Sequence, residues 1–512
     1  MSDYLTKQLQ RYFRYDSFRP GQKEIIGDVL KGCDVLGILP TGSGKSLCYQ
    51  LPSRLLSDLT VVVSPLISLM VDQVRETKAF HFKEVAALHS LLSYEERTDI
   101  LTNLHRYKIV YLSPELLQNR QIIGALKKRK VSLFVIDEAH CISQWGHDFR
   151  PDYLRLKLAI DLLGNPPLLA LSGTVTAEIE QDILEQLERP AMKVHRYPLE
   201  QKNIALVVEK LKRNKTKDER LVEILRQKDV PTIIYFSSKQ RAEETARLLK
   251  EQLPDREIAY YHGDLDPESR LKIQQQFLYD QVEIICATSA FGMGINKPNI
   301  RLVIHYHMPP DKESFIQEIG RAARDGKESV SILLFEEGDQ QLPFKLIESE
   351  LPTEQEIRKF LDFLYILHER NEPLPKDYVH VSEMLHIHET KIKLLKFHFE
   401  THGIIEDNKV CFDEASWKRT MAKIRQLIDA RKRVKQKNVM NMLHYVHSEH
   451  CLRQELYKGF QRRTETEKAN CCSVCGLSLP DVFKRMDETK KPKTHPEKSW
   501  KQRLAKLLEV GE

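Results

Sequence analysis

A glycine-rich turn followed by a lysine and a serine is the segment of this chain best suited to chemistry. Its backbone N–H groups can hold a polyphosphate, the Lys45 side chain can neutralise the outer phosphates, and the Ser46 hydroxyl can ligate Mg²⁺. Leu39 stands where the strict phosphate-loop pattern has a leading glycine. The residues that we expect to bind a nucleotide here are Thr41, Gly42, Ser43, Gly44, Lys45 and Ser46.

Two adjacent carboxylates follow an apolar run about ninety residues further along the chain. Residues 131–136 are typical of a buried strand, and parallel sheets bind ligands outside the carboxyl ends of their strands. Asp137 can therefore hold the metal through water, and Glu138 can orient the water that attacks the γ-phosphate. Together the two segments predict nucleotide hydrolysis, with Lys45, Asp137 and Glu138 as catalytic residues.

The elements that must position these residues are apolar strands alternating with helical segments between about residues 20 and 190. This alternation predicts a parallel α/β sheet. Serine-proline pairs follow several strands, where they can simply end the strand and cap a helix. Because several pairs share the rim of the phosphate loop, we expect Ser64 and Ser68 to contact a bound nucleic-acid strand. The predicted strands are 34–39, 59–64, 108–112, 133–136 and 168–171.

A second alternation begins near residue 204 and contains no phosphate loop of its own. Its predicted strands are 232–236, 258–261, 282–287 and 302–305. Gln317, Arg321 and Arg324 follow and are predicted as further catalytic residues, and the spacing of three between the arginines predicts one face of a helix. An arginine supplied across the cleft to the nucleotide would give this sheet a reason to face the first.

Residues from about 15 to 335 resemble the RecQ family of superfamily-two helicases, with the motifs in the family's order. Residues 18–22, Phe-Arg-Pro-Gly-Gln, resemble the adenine-recognition motif of that family. The resemblance implies that the Gln22 amide reads the adenine edge, while Tyr15 and Arg19 stack on the base.

The most diagnostic segment is the aromatic-rich loop 143–153, directly after Asp-Glu-Ala-His. It resembles the RecQ element that couples DNA binding to ATP hydrolysis. Bases that stack on such rings gain about 1–3 kcal/mol each, although a structural hydrophobic cluster would have the same composition. The residues predicted to bind DNA are Trp145, His147, Phe149, Arg150, Ser64 and Ser68.

The resemblance implies two tandem RecA-like parallel-sheet domains with ATP and Mg²⁺ between them. It also implies 3′ to 5′ translocation on single-stranded DNA and unwinding of duplex or branched DNA in recombination, repair or replication-fork maintenance. A single-stranded-DNA-binding protein or another repair factor is a candidate partner. The alternatives are an RNA helicase of the same superfamily and a nucleotide-gated factor that binds or anneals DNA junctions.

Three positions depart from the family pattern. Residues 172–174, Ser-Gly-Thr, keep the hydroxyl groups of the usual Thr-Ala-Thr. Asn296 stands where most relatives carry aspartate, which puts a charge-dependent role there in question. Ala323 replaces a glycine between the two arginines, and we expect it to fit a helix.

The stretch 351–415 predicts three helices and a hairpin, which is typical of a winged helix. We expect helices over 354–368, 381–385 and 388–402, with a hairpin over 404–412. Lys391, Lys393 and Lys396 are expected to be exposed, either as phosphate contacts or as solvated charges on a packing module.

A cluster of cysteines follows, and in a reducing compartment such a cluster indicates metal before disulfide. The segment resembles the zinc-binding module of the RecQ family, with a structural, four-coordinate site. The fourth ligand is open, because Cys471 lies beside Cys472 and either His447 or His450 could replace it. The predicted zinc ligands are Cys451, Cys471, Cys472 and Cys475.

The chain has 512 residues, a formal net charge of +6 and a hydrophobic fraction of 41%. The mildly basic balance fits a nucleic-acid partner, and the lack of a long apolar run predicts a cytoplasmic protein, nucleoid-associated if bacterial, without a membrane partner. We expect a final basic tail that either forms a short helix over 500–508 or binds a partner. The predicted units are two helicase domains (1–200 and 201–345), a winged-helix-like insert (346–415), a zinc module (416–480) and the tail (481–512).

Overall fold

Two parallel β-sheets follow one another along the chain, and a largely helical region completes the fold. The structure, a computed structural model, describes residues 2–143, 150–212, 216–292, 297–375, 377–406, 408–461 and 470–488. Trp145, His147, Phe149 and Asn296 therefore lie outside the described residues.

The first sheet confirms the five predicted strands and adds two at or near its edges. Its order is β3-β4-β2-β5-β6-β1-β7, and each pair of neighbours is parallel. The central strands are buried along their whole length because helices cover both faces, as their continuous apolar runs require. The strands are β1 Val35–Ile38, β2 Leu59–Val63, β3 Val85–Leu88, β4 Ile109–Leu112, β5 Val131–Ile136, β6 Leu168–Ser172 and β7 Lys193–Arg196.

The second sheet confirms its four predicted strands and also adds two. Its order is β10-β11-β9-β12-β13-β8, again with every neighbouring pair parallel. The strands are β8 Ile204–Lys210, β9 Thr232–Tyr235, β10 Ile258–Tyr261, β11 Ile284–Ala287, β12 Leu302–His305 and β13 Ser329–Phe335.

Helices pack on both sheets and connect their strands. Around the first sheet they are α1 Ser2–Phe13, α2 Gln22–Leu30, α3 Leu47–Leu55, α4 Ile67–Ala79, α5 Tyr94–Thr102, α6 Arg120–Arg129, α7 Pro151–Leu154, α8 Leu156–Leu162 and α9 Ala177–Gln186. Around the second they are α10 Lys217–Gln227, α11 Lys239–Gln252, α12 Pro267–Leu278, α13 Lys312–Ile319 and α14 Gln341–Glu350.

The expected three helices and hairpin follow, and they enclose a separate hydrophobic core. One 34-residue helix then joins this core to the sheet domains, since its first half packs on the insert and its second half on the second sheet domain. The predicted boundary near 415 thus falls at the start of a shared helix. These elements are α15 Glu354–Glu369, α16 Tyr378–Leu385, α17 Glu389–Thr401, β14 Ile405–Glu406, β15 Lys409–Val410, α18 Glu414–His447, α19 Leu452–Tyr457 and α20 Leu479–Glu488.

The expected exposure of the α17 lysines is wrong for two of the three. Lys391 is only 7% exposed and its Nζ lies 2.9 Å from Glu356 Oε1. Lys396 bonds the Tyr378 hydroxyl and Asn408 Oδ1. These two lysines hold the insert together, so among the three only Lys393 lies at the surface.

The tail also begins later than predicted. Helix α20 covers part of the segment assigned to it, and its side chains join the core of the second sheet domain. Lys228 Nζ donates to Phe483 O, in the middle of the helix, at 2.7 Å and holds α20 on this domain. Residues 489–512 lie outside the described ranges. Of the helices in the described ranges, none combines the length and apolarity needed to cross a membrane.

Candidate nucleotide site and nucleic-acid cavity

The phosphate loop runs from the end of β1 to the start of α3. Gly42 and Gly44 have φ angles of 80° and 76°, a left-handed conformation that glycine adopts without steric cost. Gln22 Nε2 donates to Ser43 O at 2.9 Å and to Gly44 O at 3.1 Å. Arg19 donates to the carbonyl of Gly42. The predicted adenine motif thus braces the loop from outside.

Within the adenine motif Gln22 is buried, whereas the Tyr15 ring faces solvent. Arg19 N donates to Gln22 Oε1 at 2.9 Å, so the amide of Gln22 is bonded at both ends. The Tyr15 ring is about half exposed and lies 6.4 Å from the ring of Phe13. Base stacking on Tyr15 and base reading by Gln22 stay predictions.

The predicted catalytic residues of the first domain lie together. Lys45 Nζ is 3.3 Å from Glu138 Oε1, and the Glu138 N–H donates to Asp137 Oδ1 at 3.0 Å. His140 Nδ1 lies 2.8 Å from Ser172 Oγ and 3.5 Å from Glu138 Oε2. The ends of β5 and β6 are therefore linked to the lysine of the loop.

The electrostatics of this pocket suit a cation and a polyphosphate. Burial, followed by the neighbouring Glu138 charge, raises the pKa of Asp137 to about 7, while Lys45 acts to lower it. The Ser43 hydroxyl oxygen is buried and has no hydrogen-bond partner among the described residues. Carboxylate and hydroxyl oxygens are the donor set that Mg²⁺ prefers, so Asp137 and Ser46 fit such an ion.

An arginine from the second domain covers the loop. A Cβ atom at Gly42 would lie 3.1 Å from Arg324 Cγ, so this side chain passes directly over the phosphate loop. Burial, then the charge of Arg321, lowers the pKa of Arg324 to about 10. A Cβ atom at Gly292 would collide with Arg321, which thus turns back onto its own domain. The two arginines do not share a face.

Their expected helical placement is wrong, because α13 ends at Ile319 and both arginines follow it. Ala323 has a φ of 55° and so lies in the left-handed region, not in a helix. Its carbonyl accepts from Asn203 Nδ2 at 3.0 Å, which holds the turn. The family's glycine would adopt this conformation without the cost that a Cβ adds.

A cavity of about 490 Å³ opens between the two sheet domains and α18. Of the residues predicted to bind DNA, Ser68 and Arg150 line it, together with Gln317 and Arg321. Ser64 does not line the cavity, because it is 1% exposed and its hydroxyl is buried. In this conformation the predicted direct contact between Ser64 and nucleic acid is therefore wrong. Four polar residues that were not predicted from the sequence also line the cavity. They follow the ends of β9, β11 and β12, and this position after a strand is the signal that could have identified them. They are Ser237, Thr288, Ser289 and His307.

Comparison with known proteins identifies the motor. The DEAD/DEAH box helicase family profile matches residues 19–182, and the helicase conserved C-terminal domain profile matches residues 216–326. The chain is 40% identical over 99% of its length to the probable ATP-dependent DNA helicase RecS of Bacillus subtilis, of which it covers 98%. It is 38% identical over 68% of its length to the ATP-dependent DNA helicase RecQ of Haemophilus influenzae, of which it covers 56%.

The chain belongs to the RecQ family of ATP-dependent DNA helicases. As a member of this family it hydrolyses ATP with Mg²⁺ and acts on DNA. Solved structures with the same fold include the DEAD-box helicase Mss116 bound to single-stranded RNA, at TM-score 0.57 and 18% identity, covering 94% of each chain. The DUF1998 helicase MrfA bound to DNA has TM-score 0.56 and 20% identity, covering 67% of this chain and 50% of that one.

Four cysteines of this RecQ protein converge at the start of α19, where Cys451 is the N-cap residue. The four sulfur atoms lie within 4.8 Å of one another, and Cys451 Sγ is 3.5 Å from Cys471 Sγ. A tetrahedral zinc site with bonds of about 2.3 Å places its sulfur atoms about 3.8 Å apart, so the set fits zinc. Its members are Cys451, Cys471, Cys472 and Cys475.

The alternative histidine ligands lie elsewhere. His447 packs edge-on against Phe335, with 5.2 Å between ring centroids, and His450 is exposed. Burial acts to raise the pKa of Cys472, but the backbone N–H groups of Leu452 and Cys475 outweigh it, and the pKa is lowered. A lowered pKa makes the thiolate, which is the form that binds a metal, easier to reach at Cys472, whereas burial raises the pKa of the Cys471 thiol to about 11.

Proposed function

We propose that this RecQ helicase translocates 3′ to 5′ on single-stranded DNA and unwinds duplex or branched DNA. The single observation that carries the motor assignment is Arg324 of the second domain lying over Gly42 of the phosphate loop. A positive charge in this position can interact with the γ-phosphate that Lys45 holds from the other side. The site therefore belongs to both domains.

Each residue around the loop has a distinct role in hydrolysis. Lys45 neutralises the outer phosphates, Glu138 orients the attacking water, and Arg324 stabilises negative charge that develops on the γ-phosphate. Asp137 and Ser46 would hold Mg²⁺, which supplies further charge neutralisation when bound. The contact between Lys45 and Glu138 keeps both side chains in place before the substrate enters.

The link from hydrolysis to movement is a difference in affinity. ATP contacts both domains and so favours their closed arrangement, whereas the products lack the bridging γ-phosphate and favour it less. If each closure advances the strand across the domains, duplex ahead of the motor separates at a cost of about 1.4 kcal/mol per base-pair step.

The DNA strand crosses the cavity between the domains. The polar side chains in its lining, among them Ser68, Arg150 and Ser289, suit phosphate contacts that are independent of base sequence. Trp145, His147 and Phe149 precede Arg150 in the sequence but lie outside the described residues, so base stacking on them stays a prediction. A single-stranded-DNA-binding protein or another repair factor would meet this strand on either side of the motor.

The cysteine cluster is a structural zinc site. All four sulfur atoms would be ligands, which leaves no open position for catalysis. Its neighbours tie it to the second domain: Lys312 Nζ donates to Glu455 O at 2.7 Å, and Val208 N donates to Ser473 Oγ at 3.2 Å. The metal thus stabilises a module that packs on the motor.

The test compares Lys45→Ala and Arg324→Ala with the wild-type protein in DNA-stimulated ATPase and in unwinding of 3′-tailed duplex. Both variants should lose at least about tenfold in turnover while binding single-stranded DNA normally, since neither side chain lines the DNA cavity. Arg247→Ala is the matched control, because Arg247 is an exposed arginine of the second domain.

Duplexes with different tails distinguish a 3′ to 5′ DNA helicase from the alternative functions. A 5′-tailed duplex and a tailed RNA duplex should be unwound more slowly than the 3′-tailed DNA. Persistent ATPase in either variant would contradict the role given to that side chain. Hydrolysis by the wild-type protein without strand separation on any tailed or forked DNA would contradict the proposed helicase activity.

A further inference from the structure

The segment that joins the two sheets touches both halves of the nucleotide site. It runs from the end of β7 to the start of β8, and Gln201 lies within it. Gln201 Nε2 donates to Thr41 O at 2.9 Å and lies 3.5 Å from Gly320 O. Because a carboxamide nitrogen carries two N–H groups, one side chain can bond a carbonyl from each motor domain.

These two carbonyls belong to the parts of the site that must approach each other. Thr41 opens the phosphate loop, and Gly320 lies between α13 and the turn that carries Arg324. The two residues also touch, since a Cβ atom at Gly320 would lie 3.1 Å from Thr41 Cβ. The Gln201 amide therefore sits where the spacing between the loop and the Arg324 turn is set.

The backbone of this joining segment is held from the cysteine module. Arg453, on α19, is 8% exposed and donates from Nη1 to Gln201 O at 2.8 Å and from Nη2 to Ile204 O at 2.5 Å. A planar guanidinium fixes two acceptors in one orientation, which a lysine cannot do. A second clamp comes from Gln461, whose Oε1 accepts from Leu199 N at 3.3 Å.

We infer that Gln201 is a positioning residue for ATP hydrolysis, oriented by Arg453 of the cysteine module. Resting on the proposed motor function, the inference makes the joining segment a part of the nucleotide site. Gln201 acts through Thr41 and Gly320, and it fixes the approach of the Arg324 turn to the phosphate loop. Its loss should therefore lower the turnover number more than it weakens substrate binding.

The first experiment uses Gln201→Glu, which keeps the shape of the side chain and removes both N–H donors. The kcat of DNA-stimulated ATPase should fall about tenfold, with the KM for ATP and the melting temperature close to wild type. The exposed Gln281, changed to Glu, is the matched control and should have no effect. A kcat within twofold of wild type for Gln201→Glu would overturn the inference.

The second experiment tests the link to Arg453 with a double-mutant cycle. Arg453→Lys keeps the charge beside Glu200, whose Oε1 is 3.6 Å from Arg453 Nη1, but replaces the planar guanidinium that holds the two carbonyls in a fixed orientation with a single flexible ammonium group. It should lower kcat at least threefold at unchanged metal content, and adding it to Gln201→Glu should cause no further loss. Effects that multiply in the double variant would show independent roles and refute the link.

A measurement of domain closure distinguishes a positioning role of Gln201 from a general loss of enzyme function. Fluorophores on the two motor domains should report less closure by ADP·BeF in Gln201→Glu than in wild type, at the same DNA affinity. Equal closure in both proteins would contradict the inference. A wild-type protein without DNA-stimulated ATPase would instead refute the proposed function, so the two failures are distinguishable.

Discussion

The cysteine module and the winged-helix-like insert are attached to the motor in different ways. The module (residues 448–461 and 470–477) shares buried core residues with the second sheet domain, and Arg453 donates to two of its backbone carbonyls. The insert (residues 354–410) has a core of its own. It contacts the first domain through an ion pair between Arg155 and Glu400, with Phe397 under the same guanidinium, beside a cavity of about 590 Å³.

This difference in attachment indicates which sheet domain the cysteine module and the insert move with. The buried hydrogen bonds of Arg453 and the bridge between Leu206 and Cys472 make the cysteine module a fixed part of the second domain. A partly exposed ion pair contributes about 0–1 kcal/mol, so the insert can separate from the first domain at little cost. We therefore expect α18, which joins the two, to carry the insert with the second domain when the motor opens.

The largest loss of stability should come from removing a zinc ligand of the cysteine module. Cys472→Ser should lower zinc to less than one equivalent and destabilise the second domain by more than about 3 kcal/mol, because metal binding and folding are coupled. Metal analysis and urea unfolding measure both. Cys411→Ser is the control, since Cys411 is an exposed cysteine of the insert region. Full zinc occupancy in Cys472→Ser would remove this residue from the ligand set.

The next effect tests α20, which belongs to the same fixed attachment. Phe483→Ala should destabilise the second domain by about 3 kcal/mol, because a buried aromatic side chain is removed from its core. Thermal unfolding followed by circular dichroism is suitable. Lys484 is exposed on the same helix, so Lys484→Ala should be nearly neutral. Equal stability of the two variants would mean that α20 does not pack there in solution.

Acid should weaken the insert through the buried His398. Burial, followed by the charges of His402 and Arg431, lowers the pKa of His398 from 6.5 to about 4. The unfolded chain takes up the proton as the pH falls through 6.5 and the folded insert does not, so stability is lost between pH 6.5 and 4. From pH 7.5 to 5 this loss is about 2 kcal/mol. Urea unfolding at both values should show a loss of stability that is about 2 kcal/mol smaller for His398→Gln than for wild type. An unchanged pH dependence in the variant would contradict this source.

The smallest change in stability should come from breaking the ion pair between Arg155 and Glu400. Glu400→Gln removes the charge that faces Arg155 and should change the free energy of unfolding by less than about 1 kcal/mol. Glu369→Gln, at an exposed position on α15, is the control. A loss above 2 kcal/mol for Glu400→Gln, measured by urea unfolding, would show that the insert is as firmly fixed as the cysteine module.

The sequence predicted the strands that carry the chemistry because parallel strands bring their carboxyl ends to one edge. Lys45, Asp137 and Glu138 could therefore be grouped from their positions after strands alone. The edge strand β7 was missed because Lys193–Arg196 is mostly polar, and an edge strand needs no continuous apolar run. Strand β13 was missed although its run is fully buried.

Predictions made from the spacing of residues in the sequence were wrong where contacts between distant residues decide the conformation. The interval between Arg321 and Arg324 matches a helix, yet Gly320 ends α13 and Asn203 holds Ala323 in a left-handed turn. Lys391 was expected at the surface because its partner Glu356 is 35 residues away on another helix. The bridging amide of Gln201 had no local signal at all, since both of its partners are distant in the sequence.

The cysteine module also covers an open side of the second sheet. Strand β8 is at the end of the strand order, and its free side forms a parallel bridge from Leu206 to Cys472 and a bond from Val208 N to Ser473 Oγ. Uncovered strand edges recruit strands from other molecules. Protein stripped of its zinc should therefore do more than lose stability: it should self-associate through β8 and precipitate from solution.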